Sequence, residues 1–95
     1  MKSTSHRTKT NVFADLGFLP EEARHLQVRS QLMTALIRLI DARGLSQHEA
    51  ATLFGCSQPR VSDLVRGKID RFSSDMLIEI LAAAGAEVRV QVRVA

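Results

Sequence analysis

The sequence predicts a mainly α-helical fold: a small bundle of four to five helices, followed by a C-terminal β-strand that pairs in a dimer. Three observations lead to this prediction. Apolar residues recur at helical spacing over most of the chain, glycines divide that pattern into segments, and residues 87–94 alternate between polar and apolar. A chain of 95 residues forms one small domain with a modest core, which favours oligomerisation.

Residues 1–19 are predicted to form a flexible, basic N-terminal arm with an apolar segment. Three of the thirteen basic residues lie among the first ten positions, and the remaining ten are balanced by ten acidic residues. Residues 1–10 are polar and lack periodicity, so they are expected to be disordered in the free protein. The next segment is too apolar for a solvated tail. It is expected either to pack on its own domain or to be covered by a partner protein through Val12, Phe13, Leu16 and Phe18.

Residues 20–85 are predicted to form the helical domain, which starts with one long helix. Pro20, followed by two acidic residues, is typical of a helix start, and the helix is expected to end at Arg43 before Gly44. A break near residues 29–30 is the alternative. The apolar stripe comprises Leu26, Leu32, Met33, Leu36, Ile37 and Ile40.

Two short helices joined by a tight turn are predicted after the long one. Ser46 and Glu49 have the spacing of a capping box, and Gly55 ends the first short helix. Ser57 is expected to cap the second, with Pro59 in its first turn, where the missing N–H does no harm. This arrangement can place the second helix in a DNA major groove. The alternative is an ordinary helical hairpin with a solvated outer face.

The outer face of the second short helix is polar and suited to reading bases. Glutamine pairs with adenine and arginine with guanine, so Gln58 and Arg60 are candidate base-contacting residues. Residues 57–71 carry four basic and two acidic side chains, whereas the segments on either side are slightly acidic. Positive charge therefore gathers where the phosphates of bound DNA would lie.

The chain is expected to end in one more helix and a strand. Ser73 is predicted to cap the helix, Phe72 to pack against Leu77, and Gly85 to end it. Residues 86–95 are predicted to form a dimerisation strand through Val88, Val90, Val92 and Val94. Pairing with the same strand of a second subunit would leave no unpaired edge. The alternative is pairing with residues 12–16 inside one chain.

Several function classes are excluded by what the sequence lacks. It has neither an apolar run long enough to cross a membrane nor a signal peptide. The lone Cys56 cannot form an internal disulfide, which favours a reducing cytoplasm. His6, His25 and His48 have no metal-ligand spacing, and no phosphate loop or nucleophile–base pair is present. We therefore expect a protein without cofactor or metal that is not an enzyme.

The helix pair resembles the Cro/C1-type, or Xre, family. The resemblance rests on Leu45-Ser-Gln-His-Glu-Ala-Ala, Gly55-Cys-Ser-Gln-Pro-Arg-Val-Ser-Asp-Leu and Gly67-Lys68, and it covers residues 32–84. With its flanking segments, the whole chain is similar to small HigA-type antitoxins. The resemblance implies a lambda repressor-like DNA-binding fold and a dimeric repressor that binds a palindromic operator. It also implies a partner, a small basic ribonuclease toxin of HigB/RelE type.

Site residues follow from this resemblance position by position. The base-contacting residues would be Gln58, Pro59, Arg60 and Asp63. The phosphate-contacting residues would be Gln47, Ser57, Ser62, Arg66, Lys68 and Arg71. Many family members have a polar residue where this chain has Pro59, so Pro59 offers only an apolar contact, such as to a thymine methyl. Asp63 would either accept from a cytosine or hold Arg60 or Arg66 in place.

Three hypotheses follow from the sequence. The first is an antitoxin, a dimeric repressor that also neutralises a toxin. The second is a stand-alone regulator, phage-derived for example, without a protein partner. The third is an interaction module that keeps the helical scaffold but does not bind DNA.

Overall fold

The computed structural model describes residues 12–94, which form five α-helices. These are α1 (Val12–Asp15), α2 (Pro20–Arg43), α3 (Gln47–Phe54), α4 (Gln58–Val65) and α5 (Ser74–Ala83). A 3₁₀ turn, Ile69–Arg71, lies between α4 and α5. The predicted bundle of four to five helices is confirmed for this part of the chain.

Helix α2 is the longest element and forms one side of the bundle. It runs for 24 residues from Pro20 to Arg43, as predicted, without a break at residues 29–30. Gly44 ends it with a left-handed backbone (φ 62°), and its N–H donates to the carbonyl of Asp41. The next N–H, from Leu45, donates to the carbonyl of Ile40 at 3.0 Å. These two bonds satisfy carbonyls that the helix end would otherwise leave free.

The three shorter helices α3, α4 and α5 begin at the predicted serine caps. The Oγ atoms of Ser46, Ser57 and Ser73 accept backbone N–H groups three residues further on, at 3.0, 3.2 and 3.1 Å. The Glu49 carboxylate accepts the N–H of Ser46 at 2.9 Å, which completes the predicted capping box. Local signals therefore fix where α3 and α4 start.

The core lies between α2 and the other helices. Phe72, which precedes α5, is buried, as is Leu77 in its first turn, in agreement with the predicted packing of this pair. The helical spacing of Val61, Leu64 and Val65 predicts that all three are buried, but the exposed fraction of Val65 is 37% because α4 turns only the other two towards the core. The main core side chains are Met33, Leu36, Ile40, Ala50, Phe54, Val61, Leu64, Phe72, Leu77 and Leu81.

The C-terminal segment is not a strand in the described chain. Residues 86–94 belong to no helix or strand, because a strand requires a neighbour with which to exchange backbone hydrogen bonds, and the described segments around it are helical. Pairing with residues 12–16 is wrong, since Val12–Asp15 forms helix α1. Val88 is half-buried against the core, whereas Val90, Val92 and Val94 are 78%, 78% and 92% exposed. Pairing between two subunits stays a prediction.

The apolar part of the N-terminal arm packs on itself and against the start of α2. The rings of Phe13 and Phe18 meet edge to face, with centroids 6.1 Å apart. The Phe18 N–H donates to the Phe13 carbonyl at 3.2 Å. The basic residues 1–10, with their predicted disorder, lie outside the described residues. Within the described range, no helix has both the length and the apolar character needed to span a membrane.

Candidate nucleic-acid interface

Helix α4 has an inner side that is buried in the core and an outer side that is exposed. Val61 and Leu64 on its inner side are 0% and 1% exposed. Gly55 takes a left-handed backbone (φ 69°) and ends α3, so that Ser57 can cap α4 after only two residues of turn. The outer side begins with Gln58 and Pro59, both exposed. A short polar helix on a rigid apolar support is the geometry that can enter a DNA major groove.

Gln58, the first residue of α4, has a partner on α3. Its side-chain Nε2 lies 2.6 Å from Nδ1 of His48. The sequence pattern bears on His48 only as a metal ligand and does not predict this contact. The only sequence feature that could indicate this contact is the position of His48 beside Gln47 in the first turn of α3. The Gln58 amide therefore lies on the exposed side of α4, with one hydrogen-bonding group already paired with His48.

Arg60 is turned back along the protein surface. Its Nη1 donates to the carbonyl oxygen of Arg71 at 3.1 Å, and its guanidinium carbon lies 5.5 Å from the centroid of the Phe72 ring. The side chain therefore closes over the connection between α4 and α5. To contact guanine, as the sequence analysis predicts, Arg60 would have to leave both partners. In the described chain, the Arg60 side chain holds the loop that precedes α5 in place through these two contacts.

Asp63 lies one turn after Arg60, and its carboxylate contacts two basic residues of the loop between α4 and α5. Its Oδ2 accepts from Nη1 of Arg71 at 3.3 Å, and its Oδ1 lies 3.9 Å from Nζ of Lys68. From the family resemblance, Asp63 is expected to hold Arg60 or Arg66 if it does not contact a base. The structure gives it two other partners, both of them predicted phosphate-contacting residues. The carboxylate thus keeps two cations close together at one end of α4.

The remaining predicted phosphate contacts lie around the ends of the helix pair. Gln47 is exposed at the first position of α3, and Arg66 is exposed just after α4. Ser62 is half-buried on α4, and the Ser57 hydroxyl is occupied as a cap. The helix N-terminus at Gln47 adds backbone N–H groups, which bind phosphate well. The structure thus places Ser57 and Arg66 at the two ends of α4, Ser62 within it, and Gln47 at the start of α3.

One basic residue that the sequence analysis did not select lies next to this interface. Arg29 of α2 donates from Nη1 to the Phe72 carbonyl at 3.3 Å. It lines an open groove of about 480 Å³ together with His25, Asp70, Arg71, Phe72, Ser73 and Ser74. Arg29 sits 43 residues before Phe72 in the sequence, so no local pattern indicates their contact.

Cys56 lies in the turn between α3 and α4 and is half-buried. Burial raises the pKa of its thiol, and the positive charge of Arg60 offsets part of that effect. The thiol is therefore protonated at neutral pH and a poor nucleophile, in agreement with a filling role in the turn. Across residues 12–94, no three His, Cys, Asp or Glu side chains are grouped closely enough to hold a metal ion.

Two comparisons with known proteins find similarity to helix-turn-helix proteins. The family profile described as a helix-turn-helix domain matches residues 12–93. A solved structure described as an XRE family transcriptional regulator is 35% identical to this chain and superimposes with a TM-score of 0.72. The match covers 78% of this chain and 83% of that one. No curated protein matches the sequence.

Proposed function

The chain belongs to the XRE family of helix-turn-helix transcriptional regulators, and from this we propose that it is a cytoplasmic repressor that binds a palindromic operator as a homodimer. The observation that carries the proposal is the polar outer face of α4 on its buried support of Val61 and Leu64. Regulators of this family are normally not enzymes, and the expectation of no catalytic activity agrees with that.

In the proposed complex, the first turn of α4 reads bases. The amide of Gln58 pairs with an adenine edge, and Pro59 contacts a thymine methyl. Arg60 and Asp63 reach bases only if they exchange their present partners. Backbone groups at the start of α3 and the exposed Arg66 contact phosphates on either side. Phosphate contacts set the position of the protein, and the first turn of α4 supplies most of the sequence preference.

The proposed dimer uses the exposed valines of the C-terminal segment. Val88 already packs beside Val28 and Ile78, whose exposed fractions of 48% and 37% mark an apolar surface between α2 and α5. Antiparallel pairing of two such segments would satisfy their backbone groups and cover the protruding valines. A two-fold axis there would present two copies of α4 to successive major grooves, about 34 Å apart.

Selection of bound duplexes from a random DNA pool tests this proposal. We expect a palindromic site, and an affinity that falls steeply with salt because several phosphates are neutralised. Gln58→Ala should cost about 1–3 kcal/mol on the selected site. The control is Thr34→Ala, which removes an exposed polar side chain from α2 outside the proposed dimer surface and should leave binding unchanged. Failure to enrich any sequence would overturn the proposal of a sequence-specific repressor.

A finer proposal is that this repressor is the antitoxin of a type II toxin–antitoxin pair. It is supported by apolar side chains at the N-terminal end that stay largely exposed within the described chain: Val12 is 50% exposed, Leu16 69%, Phe18 44% and Leu19 63%. The proposed partner is a small basic toxin of HigB/RelE type that covers this surface. The stand-alone regulator is the alternative, in which the same surface has no protein partner.

Mass spectrometry of intact complexes, purified with the neighbouring genes present, separates these two possibilities. A small basic protein at fixed stoichiometry supports the antitoxin, and a bare homodimer supports the stand-alone regulator. Deleting residues 1–19 should then abolish toxin binding and leave most of the operator affinity. Equal loss of both affinities would contradict a separate toxin-binding role for the arm.

A further inference from the structure

His48 and Gln58 form a contact between the two helices of the motif. Nε2 of Gln58 lies 2.6 Å from Nδ1 of His48, and the two residues occupy the first turns of α4 and α3. Both backbones are held independently of this contact. The Ser46 capping box fixes the start of α3, and the Ser57 cap fixes the start of α4. The side-chain pair is therefore not needed to hold the two helices together.

The chemistry of the pair determines how the amide is presented. An amide nitrogen only donates, so the contact requires the His48 tautomer in which Nδ1 accepts and the proton lies on Nε2. One N–H of Gln58 is thereby used. The second N–H and the amide oxygen of this exposed side chain remain available, one donor and one acceptor. Adenine offers the matching acceptor and donor, N7 and the N6 amino group, in the major groove.

We propose that His48 is a positioning residue that fixes the amide orientation of Gln58 and thereby sets a preference for adenine at the base Gln58 contacts. This inference rests on the proposed function, because it describes how the same helix reads DNA. Without His48, the amide of Gln58 rotates freely and presents either two donors or a donor and an acceptor. Two donors suit the two acceptors of guanine, so discrimination between adenine and guanine falls.

Selection from a random duplex pool, followed by titration of the selected site and its single-base variants, tests the inference. We expect His48→Ala to keep the same site but to reduce the adenine-over-guanine preference at one position per half-site by about two- to tenfold, the contribution of one hydrogen bond. His48→Glu restores an acceptor that cannot donate, so it should recover most of the preference while its charge lowers the affinity for all sequences about equally. The control is Thr34→Ala, which truncates an exposed side chain of α2 outside the interface.

A double-mutant cycle separates positioning from direct contact with DNA. In the Gln58→Ala background, His48→Ala should change neither affinity nor base preference, because the side chain that it orients is gone. If His48→Ala weakens all sequences equally in both backgrounds, His48 contacts phosphate and the inference is wrong. An unchanged preference in His48→Ala would also overturn it.

These outcomes differ from failure of the proposed function. If the wild-type chain selects no sequence, the DNA-binding proposal fails before His48 is tested. If the wild type selects a site and His48→Ala selects it with the same base preference, only the positioning role fails. Thermal unfolding by circular dichroism should give matching midpoints for the wild type and His48→Ala, since both side chains of the pair are exposed.

Discussion

Arg60 has a structural role that its place in the motif does not reveal. Its guanidinium covers the Phe72 ring and donates to the Arg71 carbonyl, so it joins α4 to the segment before α5. A cation over an aromatic ring contributes about 0.5–1 kcal/mol at an exposed site, and a hydrogen bond contributes a similar amount. The side chain therefore serves the fold as well as any contact with DNA.

We predict that Arg60→Ala lowers the free energy of unfolding by about 1 kcal/mol, measured by urea titration. Arg66→Ala is the control, because Arg66 is exposed and makes no ion pair within residues 12–94, so its effect should stay within about 0.5 kcal/mol. DNA affinity of Arg60→Ala should fall about equally on all sequences. Loss of preference at one base pair would instead mean that Arg60 leaves Phe72 and reads guanine.

The carboxylate of Asp63 forms ion pairs with two basic residues that are expected to contact DNA phosphates. Its carboxylate pairs with Arg71 and Lys68, so DNA must compete with it for both of them. We predict that Asp63→Asn strengthens binding to non-specific duplex by about 0.5–1 kcal/mol at low salt, measured by fluorescence anisotropy. Asp70→Asn removes the same charge from the 3₁₀ turn after α4 without these ion pairs and serves as the control. Equal gains in affinity for Asp63→Asn and Asp70→Asn would mean that net charge alone sets the non-specific affinity. If Asp63→Asn weakens binding to the selected site alone, Asp63 contacts a cytosine there.

At the scale of the elements, α4 depends on the turn before it. Gly55 has a positive φ and open space around the position of a Cβ, so an alanine there meets backbone strain but no clash. We predict that Gly55→Ala lowers the free energy of unfolding by about 1–2 kcal/mol, and Gly55→Asn by less, because asparagine tolerates this conformation. Chemical denaturation measures both. Equal costs for the two variants would contradict backbone strain as the cause.

Local signals explain why the helices could be predicted from the sequence. Serine caps and stop glycines act within one turn of chain, so the boundaries of α2 to α5 follow from short patterns. The partners of Gln58, Arg60 and Asp63 could not be predicted in this way. They depend on the angle between α3 and α4 and on the path of the loop after α4, which only the packed core determines. The unpaired valine segment shows a second limit, since alternation predicts a strand without identifying its neighbour.

At the scale of the whole molecule, the proposed dimer can be tested on the exposed valines. Val92 is 78% exposed, so replacing it should not disturb the fold of one subunit. We predict that Val92→Lys gives a monomer by light scattering and loses most affinity for the palindromic site, while a single half-site is bound as before. Gln91→Lys adds the same charge on the opposite face of the segment and should stay dimeric. A monomeric wild type would contradict the proposed strand pairing.

The division of α4 into two faces also bears on how such regulators diverge. Val61 and Leu64 support the fold, whereas Gln58 and Pro59 face outward and contribute little to the core. Substitutions at the outer positions can therefore alter the recognised site without unfolding the protein. After gene duplication, two copies could acquire separate operators through a few such changes. Arg60 and Asp63 are less free to vary, because each also holds the loop before α5, so evolutionary change in specificity should concentrate on the first turn of α4.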